Sequence, residues 1–199
     1  MFACEGGGSA ANTWGPAARL VHVTDPHADV RAARDGDRAA LDRLLTALWP
    51  RAFRLAAGIT QHAATAEDAA QDALVLVATR LASLRDPAAY PAWSTRIAVN
   101  AATTAVRRRG ADAALDEGRA AAGFEDALAE RLDVLRALGT LPLWLRVPLV
   151  LRYVDGLSSR EIGLALGAPA ATIRFRLALG RRRLAAALGA SPAVSEEFA

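Results

Sequence analysis

From Asp29 to Arg109 the apolar residues recur at helical intervals. Leu41, Leu44, Leu45 and Leu48, then Phe53 and Leu55, follow a 3.6-residue repeat rather than an alternating one. The pattern predicts four helices, over about 28–35, 37–57, 66–82 and 88–108. Thr65 followed by Asp68, ahead of the run Ala73 to Val77, is a capping-box arrangement and is expected to open the third helix. Pro87 and Pro91 break the chain before the fourth. A second helical unit follows from about Asp126 to Leu188, where Leu128, Leu132, Leu135 and Leu138 form one stripe and Pro142 punctuates it. Leu143 to Val154 makes another hydrophobic helix, ended by Gly156. Ser158 with Glu161 opens a short helix, and Gly167-Ala168-Pro169 turns into a last long one from about Ala170.

No β-alternating run and no repeat of solenoid length interrupts this pattern, so the expected fold is all-α, two small helical domains joined by a flexible linker. The domains are expected over 25–109 and 124–188, the second of them a helix-turn-helix. Residues 1–24, with Gly6, Gly7, Gly8 and Pro16, read as a disordered leader. Residues 110–123, without an apolar stripe, read as the linker, and 189–199 as a C-terminal tail.

Composition narrows the function. With 199 residues that are 53% hydrophobic, the chain can bury two small cores. Arg, Asp or Glu interrupts every apolar run short of the roughly 20 residues that span a bilayer, and no basic segment leads an apolar core at the N-terminus. No membrane insertion and a cytoplasmic location are expected. Cys4 is the only cysteine, which excludes an intramolecular disulfide and a Cys-based zinc cluster. His22, His27 and His62 lack the i, i+4 spacing of a helical metal site. Neither a phosphate-cradling Gly-rich loop, a nucleophile elbow nor a His–carboxylate cluster occurs, so no catalytic residue, metal or cofactor is expected. The net charge of +3 conceals an asymmetry: from Ile162 to Ser195 there are five Arg and no acidic residue, a local field that attracts a polyanion.

A short helix, a Gly-containing turn and a longer helix are the parts of the DNA-binding helix-turn-helix. In the last helix Ile173, Leu177, Gly180 and Leu184 share the face suited to packing. Thr172, Arg174 and Phe175 then lie nearest the base edges of a major groove, where Arg suits guanine and an aromatic meets a thymine methyl. Arg176, Arg181, Arg182 and Arg183 suit phosphates, which give affinity without sequence information.

In the first unit Arg96, Asn100, Thr103 and Arg107 form a polar stripe, continued by Arg108 and Arg109, which fits either a nucleic-acid surface or ordinary helix solubility. Tyr90 and Trp93, at the Pro87–Pro91 loop, fit either aromatic faces for an unstacked base or, as is more common for a single ring, core packing. Glu67 and Asp68 serve a helix N-terminus, while Gln71 and Asp72, one turn on, better suit a protein partner.

Ala66-Glu67-Asp68 with Gln71-Asp72 resembles the AED-x-x-QD signature of the extracytoplasmic-function group of sigma-70-like transcription initiation factors. Ala92-Trp93 with Arg96-Ile97-Ala98 and Asn100, followed by Arg107-Arg108, is similar to its AWL-x-RIA-x-N segment. Leu141-Pro142, Arg146, Leu151-Arg152-Tyr153, Gly156-Leu157-Ser158, Glu161-Ile162 and Thr172-Ile173-Arg174 resemble its C-terminal domain. The matches keep the family's order from about 29 to 188.

The resemblance implies a sigma region 2-like bundle and a sigma region 4-like helix-turn-helix, with core RNA polymerase (its β′ clamp helices and β flap), promoter DNA and an anti-sigma factor as partners. It implies that Asp68, Gln71 and Asp72 face β′. It further implies that Arg85, Tyr90, Trp93, Arg96, Asn100, Thr103, Arg107 and Arg108 meet the minus-10 element, where bases leave the stack, and that Thr172, Arg174, Phe175, Arg176, Arg181 and Arg182 meet the minus-35 element. Ser94, Thr104, Phe175 and Leu179 depart from the family pattern, the last two on the reading face, so family promoter sequences do not transfer. The alternative is a stand-alone helix-turn-helix regulator with a dimerising or sensing N-terminal bundle.

The 14 residues of 110–123 span at most about 50 Å extended and about 20 Å as a relaxed coil. Promoter elements two DNA turns apart are roughly 70 Å from centre to centre. The free chain is therefore expected to bind a promoter weakly, because the polymerase must hold the linker open.

Overall fold

Asp37 starts the second helix of the molecule by accepting from the N–H groups of Ala39 at 2.8 Å and Ala40 at 3.2 Å, two donors that lack a partner in the first turn. The computed structural model describes residues 26–113 and 129–189; the leader 1–24 and most of the C-terminal tail lie outside them. Among the described residues all regular structure is helical: α1 (Pro26–Arg34), α2 (Arg38–Thr60), α3 (Ala63–Arg80), α4 (Tyr90–Ala113), α5 (Ala129–Thr140), α6 (Leu143–Tyr153), α7 (Ser159–Leu166) and α8 (Ala170–Ala187). Two 3-10 turns, Leu81–Ser83 and Pro87–Ala89, join α3 to α4.

The start of α3 corrects the expectation. Thr65 and Asp68 do not cap it. His62, extended at φ −149°, precedes the helix, and its ring nitrogen accepts from the Thr65 N–H at 3.3 Å. An imidazole nitrogen at this position performs the task of the usual Ser or Asp oxygen, so the cap lies three residues before the apparent one and the helix begins at Ala63. Ser158 does form a capping box: its hydroxyl accepts from the Glu161 N–H at 3.2 Å and the Glu161 carboxylate accepts from the Ser158 N–H at 2.8 Å. These two bonds hold the Glu161 carboxyl below its ordinary value. α4 runs through Gly110 to Ala113, so the first four positions of the segment read as a linker are helical; 114–128 lie outside the described residues.

α1 to α4 form one bundle. Leu44, Leu48, Leu55 and Ile59 of α2 meet a face of α3 made from Ala66, Ala69, Ala70, Ala73 and Val77, and α4 adds Ile97, Ala98, Val99 and Ala102. Small side chains on α3 bring the helix axes close, and the bulky residues of α2 fill the remaining volume. The Arg43 guanidinium donates to buried Asp29 at 2.6 Å and fastens α1 to α2. In the second unit Leu145 and Leu149 of α6, Ile162 of α7, and Ile173 and Leu177 of α8 are buried together.

The two units are not separate bodies. Their buried residues join in a single apolar cluster, in which α2 packs against α6 and α4 against α7. Gly58 makes the closest approach possible, since a Cβ placed there would lie 2.9 Å from Cγ1 of Val150. The sequence reading of two modules associated only through a tether did not anticipate this packing.

Candidate nucleic-acid interface

The chain turns by 107° between α7 and α8, within the range of a helix-turn-helix. Gly167, at φ 66°, ends α7 in the left-handed conformation. Gly163 lets the turn fold back on the helix, because a Cβ there would stand 2.5 Å from the Ala168 carbonyl oxygen. On α8, Ile173, Leu177 and Gly180 are buried, the last against Leu149. That packing fixes which face is left outward. Arg174 and Arg182 are exposed, Phe175 is 63% exposed, and Thr172, Arg176 and Arg181 are half-buried at the edges of the same face. An exposed Phe beside Arg174, on a stretch from Ile162 to Ser195 without acids, is poor for solubility and good for a partner that offers both anionic and apolar groups.

On α3, Asp68, Gln71 and Asp72 are exposed along one face, with Val75 62% exposed a turn beyond. An acidic stripe continued by an apolar side chain suits a protein surface and repels phosphate.

The α4 stripe is present, but its members differ in availability. Asn100, Arg107 and Arg108 are exposed, and Thr103 is half-buried with its hydroxyl donating to the Asn100 carbonyl at 3.1 Å. Arg85 is exposed in the turn before α4. Arg96 points across to the second unit: Nε donates to the Ala165 carbonyl at 2.9 Å and Nη2 to that of Leu164 at 2.6 Å. Trp93 is half-buried with its ring centroid 6.2 Å from that of Tyr90.

Tyr90 is only 8% exposed, so its ring belongs to the bundle core and offers no stacking platform in this conformation. Its buried hydroxyl has no hydrogen-bond partner, and burial pushes its pKa up to about 12 against the opposing pull of Arg51.

Sequence reasoning missed the polar groups between the units. The Arg51 guanidinium forks onto Asp155, with Nη2 to Oδ2 at 2.6 Å and Nε to Oδ1 at 2.8 Å, and also donates to buried Thr95 at 2.7 Å. Arg146 donates to the Ile59 and Leu141 carbonyls at 2.8 and 2.9 Å and also to that of Gly139. Partners 104 and 87 residues apart leave no spacing signal in one sequence.

A helical bundle with an acidic exposed face on α3, joined to a helix-turn-helix whose second helix is cationic outward, is the arrangement of a DNA-binding protein. Family models agree on both halves: "Sigma-70 region 2" matches residues 44–111 and "Sigma-70, region 4" matches 131–184. The chain is 33% identical over 162 residues to the ECF RNA polymerase sigma factor SigE of Mycolicibacterium smegmatis, covering 75% of this chain and 63% of that one. It is 33% identical over 156 residues to SigM of Mycobacterium tuberculosis, covering 77% and 80%. Its fold is similar to that of CnrH in complex with the cytosolic domain of CnrY, with a TM-score of 0.67 at 23% identity over 82% of this chain and 97% of that one. It is likewise similar to RpoE of Bartonella quintana in complex with the anti-sigma factor NepR, with a TM-score of 0.64 at 23% identity over 74% and 96%. The chain belongs to the extracytoplasmic-function group of the sigma-70 family.

Proposed function

We propose that this chain is the promoter-recognition subunit of a bacterial RNA polymerase: it binds the core enzyme, recognises and melts the minus-10 element, and reads the minus-35 element. The observation that carries this reading is the occurrence, in order, of the region 2 and region 4 matches on the two helical units, with α8 presenting Arg174, Phe175 and Arg182 outward. The division of labour runs along 25–109 for core polymerase and the minus-10 element, and 124–188 for the minus-35 element.

Asp68, Gln71 and Asp72 dock on polymerase through the exposed face of α3. Arg85, Trp93, Arg96, Asn100, Thr103, Arg107 and Arg108 serve the minus-10 element. Tyr90 joins them only if the bundle core rearranges around it. Thr172, Arg174 and Phe175 read bases, and Arg176, Arg181 and Arg182 hold phosphates. Removing bases from the stack costs a few kcal/mol, which polymerase binding must offset. The protein acts by binding and not by catalysis, and it works in the cytoplasm, where the promoter is. Among the described residues no single helix is long and apolar enough to cross a membrane. The solved complex of RpoE with the anti-sigma factor NepR supports an anti-sigma factor as a further partner.

Equilibrium binding separates this reading from a stand-alone regulator. Fluorescently labelled chain titrated with core polymerase should form a one-to-one complex, and Asp72→Arg should weaken it. Dimers in gel filtration, together with operator binding that needs no polymerase, would favour the regulator.

A further inference from the structure

The turn that joins α3 to α4 carries Arg85, a residue of the proposed minus-10 surface, and its main chain is held from behind by a helix outside that surface. Leu84 and Tyr90 are buried at its two ends, while Arg85, Asp86, Ala88 and Ala89 are exposed. Within the turn Asp86 binds its own segment: its carboxylate accepts from the Ala88 N–H at 2.9 Å and its carbonyl from the Ala89 N–H at 3.0 Å. The Pro87 carbonyl accepts from the Tyr90 N–H.

Two further bonds come from α1, 60 and 51 residues away in sequence. Nδ1 of half-buried His27 lies 3.2 Å from the same Pro87 oxygen, and Nη1 of exposed Arg34 donates to the Arg85 carbonyl at 3.3 Å. Because a carbonyl only accepts, the His27 bond places a ring proton on Nδ1. Seven positions apart, the two residues share one face of α1 and stand about 10 Å from each other along its axis. α1 is itself fixed: Val30 is fully buried, and buried Asp29 takes the Arg43 guanidinium of α2 at 2.6 Å. A turn held at one point can pivot, whereas a turn held at two points on an anchored helix keeps its direction.

We propose that His27 and Arg34 are positioning residues for minus-10 recognition: α1 is a brace that holds the main chain of 85–87, so that the outward side chains of the turn are in place before an unstacked base arrives. This rests on the sigma-factor reading above and adds two residues outside the nucleic-acid surface described so far. A loose turn would have to be ordered when it captures a base, and that ordering would be subtracted from the binding free energy; a braced turn is ordered beforehand. The brace therefore acts on discrimination among bases. It leaves alone the polymerase-docking face of α3 and the outward face of α8, which α1 does not form.

The test removes the donors and keeps the bulk. His27→Phe retains a ring, and Arg34→Met retains most of the stem. Hydrogen exchange in the free, full chain reads the order of 84–89. Core polymerase carrying the full chain is then offered a pool of single-stranded DNA randomised over ten positions, and separately a randomised duplex pool; sequencing the bound fraction reads base preference. The double variant should exchange its 84–89 amides about tenfold faster, with helical circular dichroism preserved. Its preference for the favoured base in the single-stranded pool should fall about tenfold, while affinity for core polymerase and selection from the duplex pool stay at wild-type values. His27→Asn with Arg34→Lys, which keeps a donor at each position, should hold both readouts near wild type; general damage to the bundle would move core affinity as well. Unchanged exchange over 84–89, or faster exchange with single-strand selection intact, would overturn the brace. A wild-type holoenzyme that selects no sequence from either pool would overturn the sigma-factor reading and the minus-10 role with it, while exchange in the free chain would still decide whether α1 holds the turn.

Discussion

The Arg146 guanidinium donates to the main-chain oxygen of Ile59 at 2.8 Å, across 87 residues of sequence, and so fastens α6 to the last turn of α2. The side chain is 9% exposed, and burial lowers its pKa. It stays useful because the same fork also serves the carbonyls of Gly139 and Leu141, closing the turn between α5 and α6. A guanidinium, with five donors in a rigid fork, can satisfy three diverging carbonyls at once.

Arg146→Met should therefore destabilise the chain by about 3 kcal/mol, since it strands buried acceptors while keeping most of the apolar stem. Calorimetric unfolding checks it. An unchanged transition would mean that water replaces the guanidinium without loss.

Arg174 and Arg182 should behave differently. On a promoter fragment bound with polymerase, Arg174→Ala should cost about 1–3 kcal/mol at one base position and relax discrimination there. Arg182→Ala should weaken binding alike on all sequences and lower the salt slope by about one. Equal effects from both would refute the division into base-reading and phosphate-holding residues.

Gly163→Ala should disrupt the helix-turn-helix despite the better helix propensity of Ala. Its Cβ would stand 2.5 Å from the Ala168 carbonyl oxygen, a backbone atom that cannot swing aside. A loss of about 1–3 kcal/mol is expected from such overpacking. Hydrogen exchange over α7 and α8 should show it, and a stabilised variant would contradict the turn geometry.

The chain has two tyrosines, so Tyr153→Phe leaves Tyr90 as the sole titrating phenol. In the folded protein its absorbance titration should centre near 12, against 10 for an ordinary tyrosine. A raised pKa favours the protonated form on folding. The associated stability is thus complete below pH 10 and is lost as pH rises from there through about 12. A midpoint near 10 in the folded state would mean that the hydroxyl is wet.

The helices and the turn were legible in the sequence because their signals are local. Leucine spacing marked α2, Ser158 with Glu161 marked α7, and Gly167 marked its end. The inward face of α8 followed from Ile173, Leu177 and Gly180 in the same way. His62 was missed because an imidazole seldom caps, and Gly110 did not stop α4 although it lowers helix propensity. The sequence leaves Tyr90 open between core and platform, because periodicity places a ring on a face without saying what covers it; the structure buries it. The packing between the two units was invisible for a deeper reason. Arg51, Arg96 and Asp155 look like ordinary surface charges until the fold brings their partners across.

Run-off transcription with purified core polymerase tests the central claim most directly. Genomic fragments, transcribed with core enzyme alone and with this chain added, should yield discrete new start sites only in its presence, and Arg174→Ala should alter which fragments respond. A core enzyme whose products are unchanged by saturating amounts of the chain would contradict the account.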